Sequence, residues 1–113
     1  MLPSLHRLQK TKDINRVFHA GHPIKKNSLL IRKAKNELAY TRMAFVVSKQ
    51  VSKKAVERNR MRRVLREAVR KNGEAVQQGW DVVITVTPGF LAQGGSIAEE
   101  RIMEALKQAR VTS

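Results

Sequence analysis

The sequence predicts an α+β fold with the element order αββαβα, a sandwich of helices against one small sheet. Three short runs rich in β-branched and aromatic residues, SLLIRKAK, YTRMAFVVSK and WDVVITVTPG, read as strands. Three stretches repeat apolar residues at helical spacing, and they fall before, between and after those strands. A chain of 113 residues that is 42% hydrophobic can bury a core without metals or disulfides, and no repeat or linker divides it. One domain over residues 1–113 is expected, with residues 1–10 flexible.

Along the chain, Thr11 is placed to cap the first helix, with Asp13 near its positive end and Gly21 as the stop. Ile14, Val17 and Phe18 then share one face. HPIKKN reads as a loop, and the first two strands as a hairpin turning at Asn36. The second helix runs from about Lys53 to Lys71 and ends at Asn72-Gly73. Its Met61, Val64, Leu65, Ala68 and Val69 form a stripe about 140° wide that must pack on the sheet. Pro88-Gly89 breaks the last strand. Ser96-Ile97-Ala98-Glu99 has the capping-box pattern and opens the last helix, where Ala98, Ile102, Ala105, Leu106 and Ala109 make one apolar stripe.

Charge points to the partner. The chain has 23 Lys and Arg against 9 Asp and Glu, a formal net charge of +14. Such a body repels itself unless a polyanion neutralises it, and nucleic acid fits better than membrane because the basic helix lacks an aromatic interfacial face. No apolar run approaches the ~20 residues of a membrane span. The chain has no cysteine, which excludes thiol chemistry and cysteine zinc sites and fits a reducing cytoplasm.

The charge is also local. Residues 55–70, AVERNRMRRVLREAVR, hold six arginines and two acids. Lys54, Arg58, Arg62, Arg66 and Arg70 stand four apart, a row of like charges that costs an isolated helix a few tenths of a kcal/mol per pair. A merely solvated face would mix signs. Arginine binds phosphate with a two-pronged fork and stacks on bases, which lysine does not. Asn59, between Arg58 and Arg60, adds a short donor–acceptor.

The segment VSKQVSKKAVERNRMRRVLREA resembles the signature of the bacterial ribonuclease P protein subunit family: Val47-Ser48-Lys49 ending a strand, then Arg58-Asn59-Arg60 and the basic pair Arg62-Arg63. LHRLQKTKDINRVFHAG resembles the family's opening and GWDVVITVTPG its last strand. The resemblance implies a ribosomal-protein-like topology with a left-handed βαβ crossover, against the general right-handed rule. It implies a subunit of an endonuclease that removes the 5′ leader of precursor tRNA, with catalysis carried by an RNA and Mg²⁺ bound mainly by that RNA. It also implies one protein per RNA. Carried over by position, Lys49, Lys53, Lys54, Arg58, Asn59, Arg60, Arg62, Arg63 and Arg66 would contact the catalytic RNA. Lys12, Arg16, Phe18, Phe45 and Ser48 would contact the leader.

The chain departs from the family pattern at Gln50, Ile14, Arg32 and Thr87, losing a lysine, two aromatics and an arginine. Phe18 reads as core from its spacing and as a stacking platform from the resemblance; Phe45 is even between the two. Trp80 reads as packing at the core edge. No carboxylate cluster suggests a protein-borne nuclease site. Glu99, Glu100 and Glu104 read as helix-start charges on a solvated face. His6, His19 and His22 lack metal-ligand spacing, and Gly94-Gly95 lacks the context of a phosphate loop. Residues alone leave open a stand-alone RNA-binding or ribosomal protein.

Overall fold

The computed structural model describes residues 7–20, 22–90 and 96–112. In chain order the elements are α1 (Thr11–Phe18), β1 (Ile24–Lys26), β2 (Leu29–Lys35), β3 (Arg42–Val47), α2 (Ala55–Lys71), a 3₁₀ turn (Gly73–Ala75), β4 (Trp80–Val86) and α3 (Ser96–Gln108). They build one four-stranded sheet in the order β1-β2-β4-β3, antiparallel except for the parallel β3–β4 pair that α2 connects.

This arrangement corrects two expectations. β2 and β3 do not pair as a hairpin, because β4 lies between them and bonds to both. HPIKKN is not all loop: Ile24–Lys26 is an edge strand, and the real hairpin joins it to β2 through Asn27 and Ser28. Both turn residues have positive φ, 56° and 62°, the geometry a two-residue hairpin needs to match strand twist. Asn36 bends the chain instead by an Asx turn, its Oδ1 accepting the Leu38 N–H at 2.8 Å.

The sheet is covered on both faces. On one, Leu29, Ile31, Met43, Phe45, Val47, Val82, Ile84 and Val86 pack against Leu65, Ala68 and Val69 of α2 and the α3 stripe of Ala98, Ile102, Ala105, Leu106 and Ala109. On the other, Val17 of α1 joins Leu8, Ala34 and Val83. Burial on both sides explains why β4 is apolar at nearly every position. Complete burial of a side chain such as Val17 contributes about 1.5–3 kcal/mol.

Helix ends differ from the sequence reading in detail. Thr11 is the first helical residue of α1 rather than its cap, Lys10 takes the cap position, and no side chain caps it. Gly21, Gly94, Gly95 and the Ser96 side chain lie outside the described residues, as do residues 1–6 of the segment expected to be flexible. Residues 7–10 are docked: Leu8 is buried and its N–H donates to the Met43 carbonyl at 2.9 Å.

Candidate nucleic-acid interface

α2 presents its arginines from a helix anchored by its apolar stripe. Leu65, Ala68 and Val69 are buried and Met61 and Val64 pack beside them, so the remaining positions must face outward. The start of the helix is tied by local bonds. Ser52 Oγ accepts the Lys54 N–H at 3.2 Å and donates to Glu57 at 2.6 Å, and Arg58 donates to the Ser52 carbonyl at 2.9 Å. Arg58 therefore folds the 48–54 loop onto the helix as well as supplying charge.

The rest of the basic set is outward. Lys49, Lys53, Lys54, Arg60 and Arg63 are exposed, as is Ser48 at the end of β3. Asn59 is exposed too, and its Oδ1 accepts from Arg62 at 2.7 Å, which orients that guanidinium. Arg62 and Arg66 lie at the half-buried margin, where Arg7 of the N-terminal segment approaches. Burial first, then the charges of Arg7 and Arg62, hold Arg66 below its ordinary value. Arg7, Arg62 and Arg66 thus bring three guanidinium groups together at this margin. An anion relieves such crowding. Arg70 leaves the row by pairing with Glu67, whose carboxyl it lowers to about 2.

The α1 side is assembled differently from the expectation. Phe18 is 37% exposed, and the Arg32 guanidinium lies over its ring, 4.7 Å from the centroid. The pair makes a flat cationic–aromatic platform from α1 and β2, of the kind that stacks unpaired bases. Arg32 fills a position first read as a lost aromatic. The signal available was strand alternation, which sets Arg32 with Ala34 on the α1 face.

Two residues of the expected leader set are engaged in the fold itself. Phe45 is only 6% exposed, inside the layer under α2 and α3, so no base can stack on it. Arg16 donates to Asp81 Oδ2 at 2.6 Å and to the Lys35 carbonyl at 3.0 Å, fastening α1 to the sheet. Lys12 is exposed on the first turn of α1.

Asp81 is the hub of that fastening. It has no exposed surface, and Arg42 grips it with two nitrogens at 2.8 and 2.6 Å while Asn36 donates at 2.9 Å. Burial would raise its pKa, but the Arg42 and Asn36 hydrogen bonds and then the Arg42 and Arg16 charges outweigh that and hold the carboxyl below its ordinary value. Sequence reading missed this hub, although a lone acid inside an apolar strand was a visible sign of a buried ion pair.

Among the described residues no group of three or more His, Asp or Glu side chains converges to hold a metal ion, and no helix is long and apolar enough to cross a membrane.

Comparison with known proteins agrees with this arrangement. The family model for ribonuclease P matches residues 2–110. The ribonuclease P protein component of Pelotomaculum thermopropionicum is 35% identical over 104 residues, covering 92% of each chain. That of Brevibacillus brevis is 34% identical over 107 residues, covering 94% of this chain and 84% of the relative. Among solved structures, the Staphylococcus aureus RNase P protein superposes with a TM-score of 0.85 at 22% identity, over 96% of this chain and 98% of that one. The Thermotoga maritima protein gives 0.79 at 24% identity, over 90% and 96%. The fold is that of these proteins, and by sequence the chain belongs to the ribonuclease P protein family.

Proposed function

We propose that this chain binds the catalytic RNA of ribonuclease P through α2 and holds the 5′ leader of precursor tRNA against α1 and β2. The observation that carries the reading is the basic surface of α2, where Lys53, Lys54, Arg60 and Arg63 are exposed at the start of and along a helix whose apolar stripe is anchored on the sheet. Lys49, Lys53, Lys54, Arg58, Asn59, Arg60, Arg62, Arg63 and Arg66 form the RNA-docking set in this reading. The leader set becomes Phe18 and Arg32, with Lys12 and Ser48 at its margins.

Catalysis is assigned to the RNA. Among the described residues the acids do not gather into a magnesium site, and Asp81 is engaged by two arginines and Glu67 by Arg70. Mg²⁺ would be held by RNA phosphates, and it would supply charge stabilisation for the attacking and leaving oxygens. What the chain's own residues do is bind, neutralise phosphate and orient the leader. A cytoplasmic ribonucleoprotein with one protein per RNA completes the proposal.

The test is reconstitution with precursor tRNA. RNA-free protein should cleave nothing, while the cognate catalytic RNA plus protein should release the leader at lower magnesium than the RNA alone. Leader removal by RNA-free protein would refute the assignment.

A further inference from the structure

At the end of the sheet remote from the start of α2, a second cationic group gathers around an aromatic ring. β4 begins at Trp80 beside the start of its parallel neighbour β3, whereas α2 leaves from beyond the far end of β3. The two places therefore stand about one helix length apart, roughly 25 Å for 17 residues. Trp80 packs at the edge of the core under α2 and α3. Its ring carries the Lys33 ammonium at 4.2 Å from the centroid and the Lys35 ammonium at 6.0 Å. Lys35 lies opposite Trp80 in the β2–β4 register, so both share that face.

Arg110 completes the group. Burial first, and then the charge of Arg110, hold the Lys33 ammonium below its ordinary value, and no acid is among the causes. Asp81, the acid next to Trp80 in sequence, is engaged by Arg16 and Arg42. Arg110 follows α3 with φ of 60°, a left-handed conformation that favours glycine at a helix end. A cation therefore stands where the backbone alone would select glycine. An unfavourable backbone choice beside a like charge is the kind of local cost that a binding role explains.

We propose that Lys33 and Lys35, held over Trp80, together with Arg110, form a second contact for the phosphodiester backbone of the catalytic RNA. The inference rests on the reading of α2 as the primary RNA-docking surface. The catalytic RNA is preferred over the leader because this group lies on the sheet face that α2 covers, while the Phe18–Arg32 platform lies on the α1 face. A large RNA docked along α2 can extend past the helix to reach it; a short single strand on α1 would have to cross the sheet. The lysines supply point charges that track phosphates without reading sequence, and Trp80 fixes where they stand.

The test uses the full chain and the full-length catalytic RNA, with equilibrium binding measured over a series of salt concentrations. Lys33→Ala with Lys35→Ala should weaken binding by about three- to thirtyfold, and the log–log salt slope should become shallower by about one to two units. Arg110→Gly is the control for folding, since glycine suits that φ: it should melt no lower than the parent protein yet bind the RNA more weakly. Unchanged affinity and slope in both variants would overturn the proposal and leave Trp80 with a structural cation–π cluster. So would a loss confined to precursor binding by the assembled enzyme. If the unsubstituted protein itself fails to bind the RNA, the reading of α2 falls as well, so the two failures are told apart.

Discussion

Asp81 ties α1, β2, β3 and β4 together through one carboxylate, and its energetics follow from its burial. A buried acid gripped by two arginines is strongly destabilising to remove, because the arginines then lack their counterion. Its depressed pKa gives the sign of the pH effect. The stability it contributes is fully present above the unfolded value of about 3.9 and is lost as pH falls through the lower folded value. Asp81→Asn should therefore lower the melting temperature at pH 7 and flatten its decline below about pH 4, as thermal melts across pH 2–7 would show. A mutant with the same acid limb as the parent would mean that Asp81 does not govern it. Phe18 behaves differently because it is 37% exposed. Phe18→Ala should lower holoenzyme affinity for precursor tRNA by about five- to a hundredfold, the range of ~1–3 kcal/mol for one stacked base, and leave mature tRNA affinity unchanged. Equal losses for both RNAs, or a mutant melting as a core truncation does, would place the leader elsewhere. Spacing alone could not separate Phe18 from Phe45. Both lie on apolar faces, and only the packed layers show which one the helices cover.

Elements with a strong period were legible from sequence, and pairings were not. α2, α3, β3 and β4 appear where their periodicity placed them, because each apolar stripe had one place to go. β1 was hidden because three residues with two lysines carry little alternation, and its turn uses Asn27-Ser28 rather than an Asn-Gly pair. The false hairpin had a physical cause as well: adjacency in sequence was taken for adjacency in space, while α2 carries the chain over to insert β4 between β2 and β3. The mostly apolar run of β4, interrupted only by Asp81 and Thr85, was the clue to a central strand covered on both faces. On α2, the legible part was the charge and the illegible part its division of labour. Arg58 also holds the 48–54 loop and Arg70 is paired with Glu67, so neither gives a clean test of docking. Lys53 and Arg63 are exposed on the outer surface. Charge-assisted contacts contribute ~1.5–3 kcal/mol each, so Lys53→Ala with Arg63→Ala should weaken assembly with the catalytic RNA by more than tenfold. The melting temperature should stay near that of the parent. Normal assembly in a filter-binding titration would mean that this face is only solvated.

For the whole molecule, the net charge of +14 sets an expectation that no single residue does. Folding a large RNA brings phosphates close together, and free magnesium screens their repulsion. The protein offers fixed cations within ~35 Å of one another, the longest dimension of the molecule. Among its acids, Asp81 is buried with its arginines and Glu67 is paired with Arg70, so neither of these offsets the exposed cations. Each phosphate neutralised by a protein cation releases bound counterions, so the protein should replace part of the magnesium and its effect should weaken as salt rises. At 0.1 M ionic strength charges are screened over ~10 Å, so the start of α2 and the Lys33–Lys35 group, about one helix length away, act nearly independently and their salt dependences should add. Cleavage of precursor tRNA followed across a magnesium titration should show the midpoint shifting to lower magnesium on adding protein. That shift should shrink steadily as monovalent salt increases, and the Lys53→Ala, Arg63→Ala protein should show a smaller shift at every salt concentration. A shift of the same size at low and high salt would mean that the protein acts by shape rather than by charge.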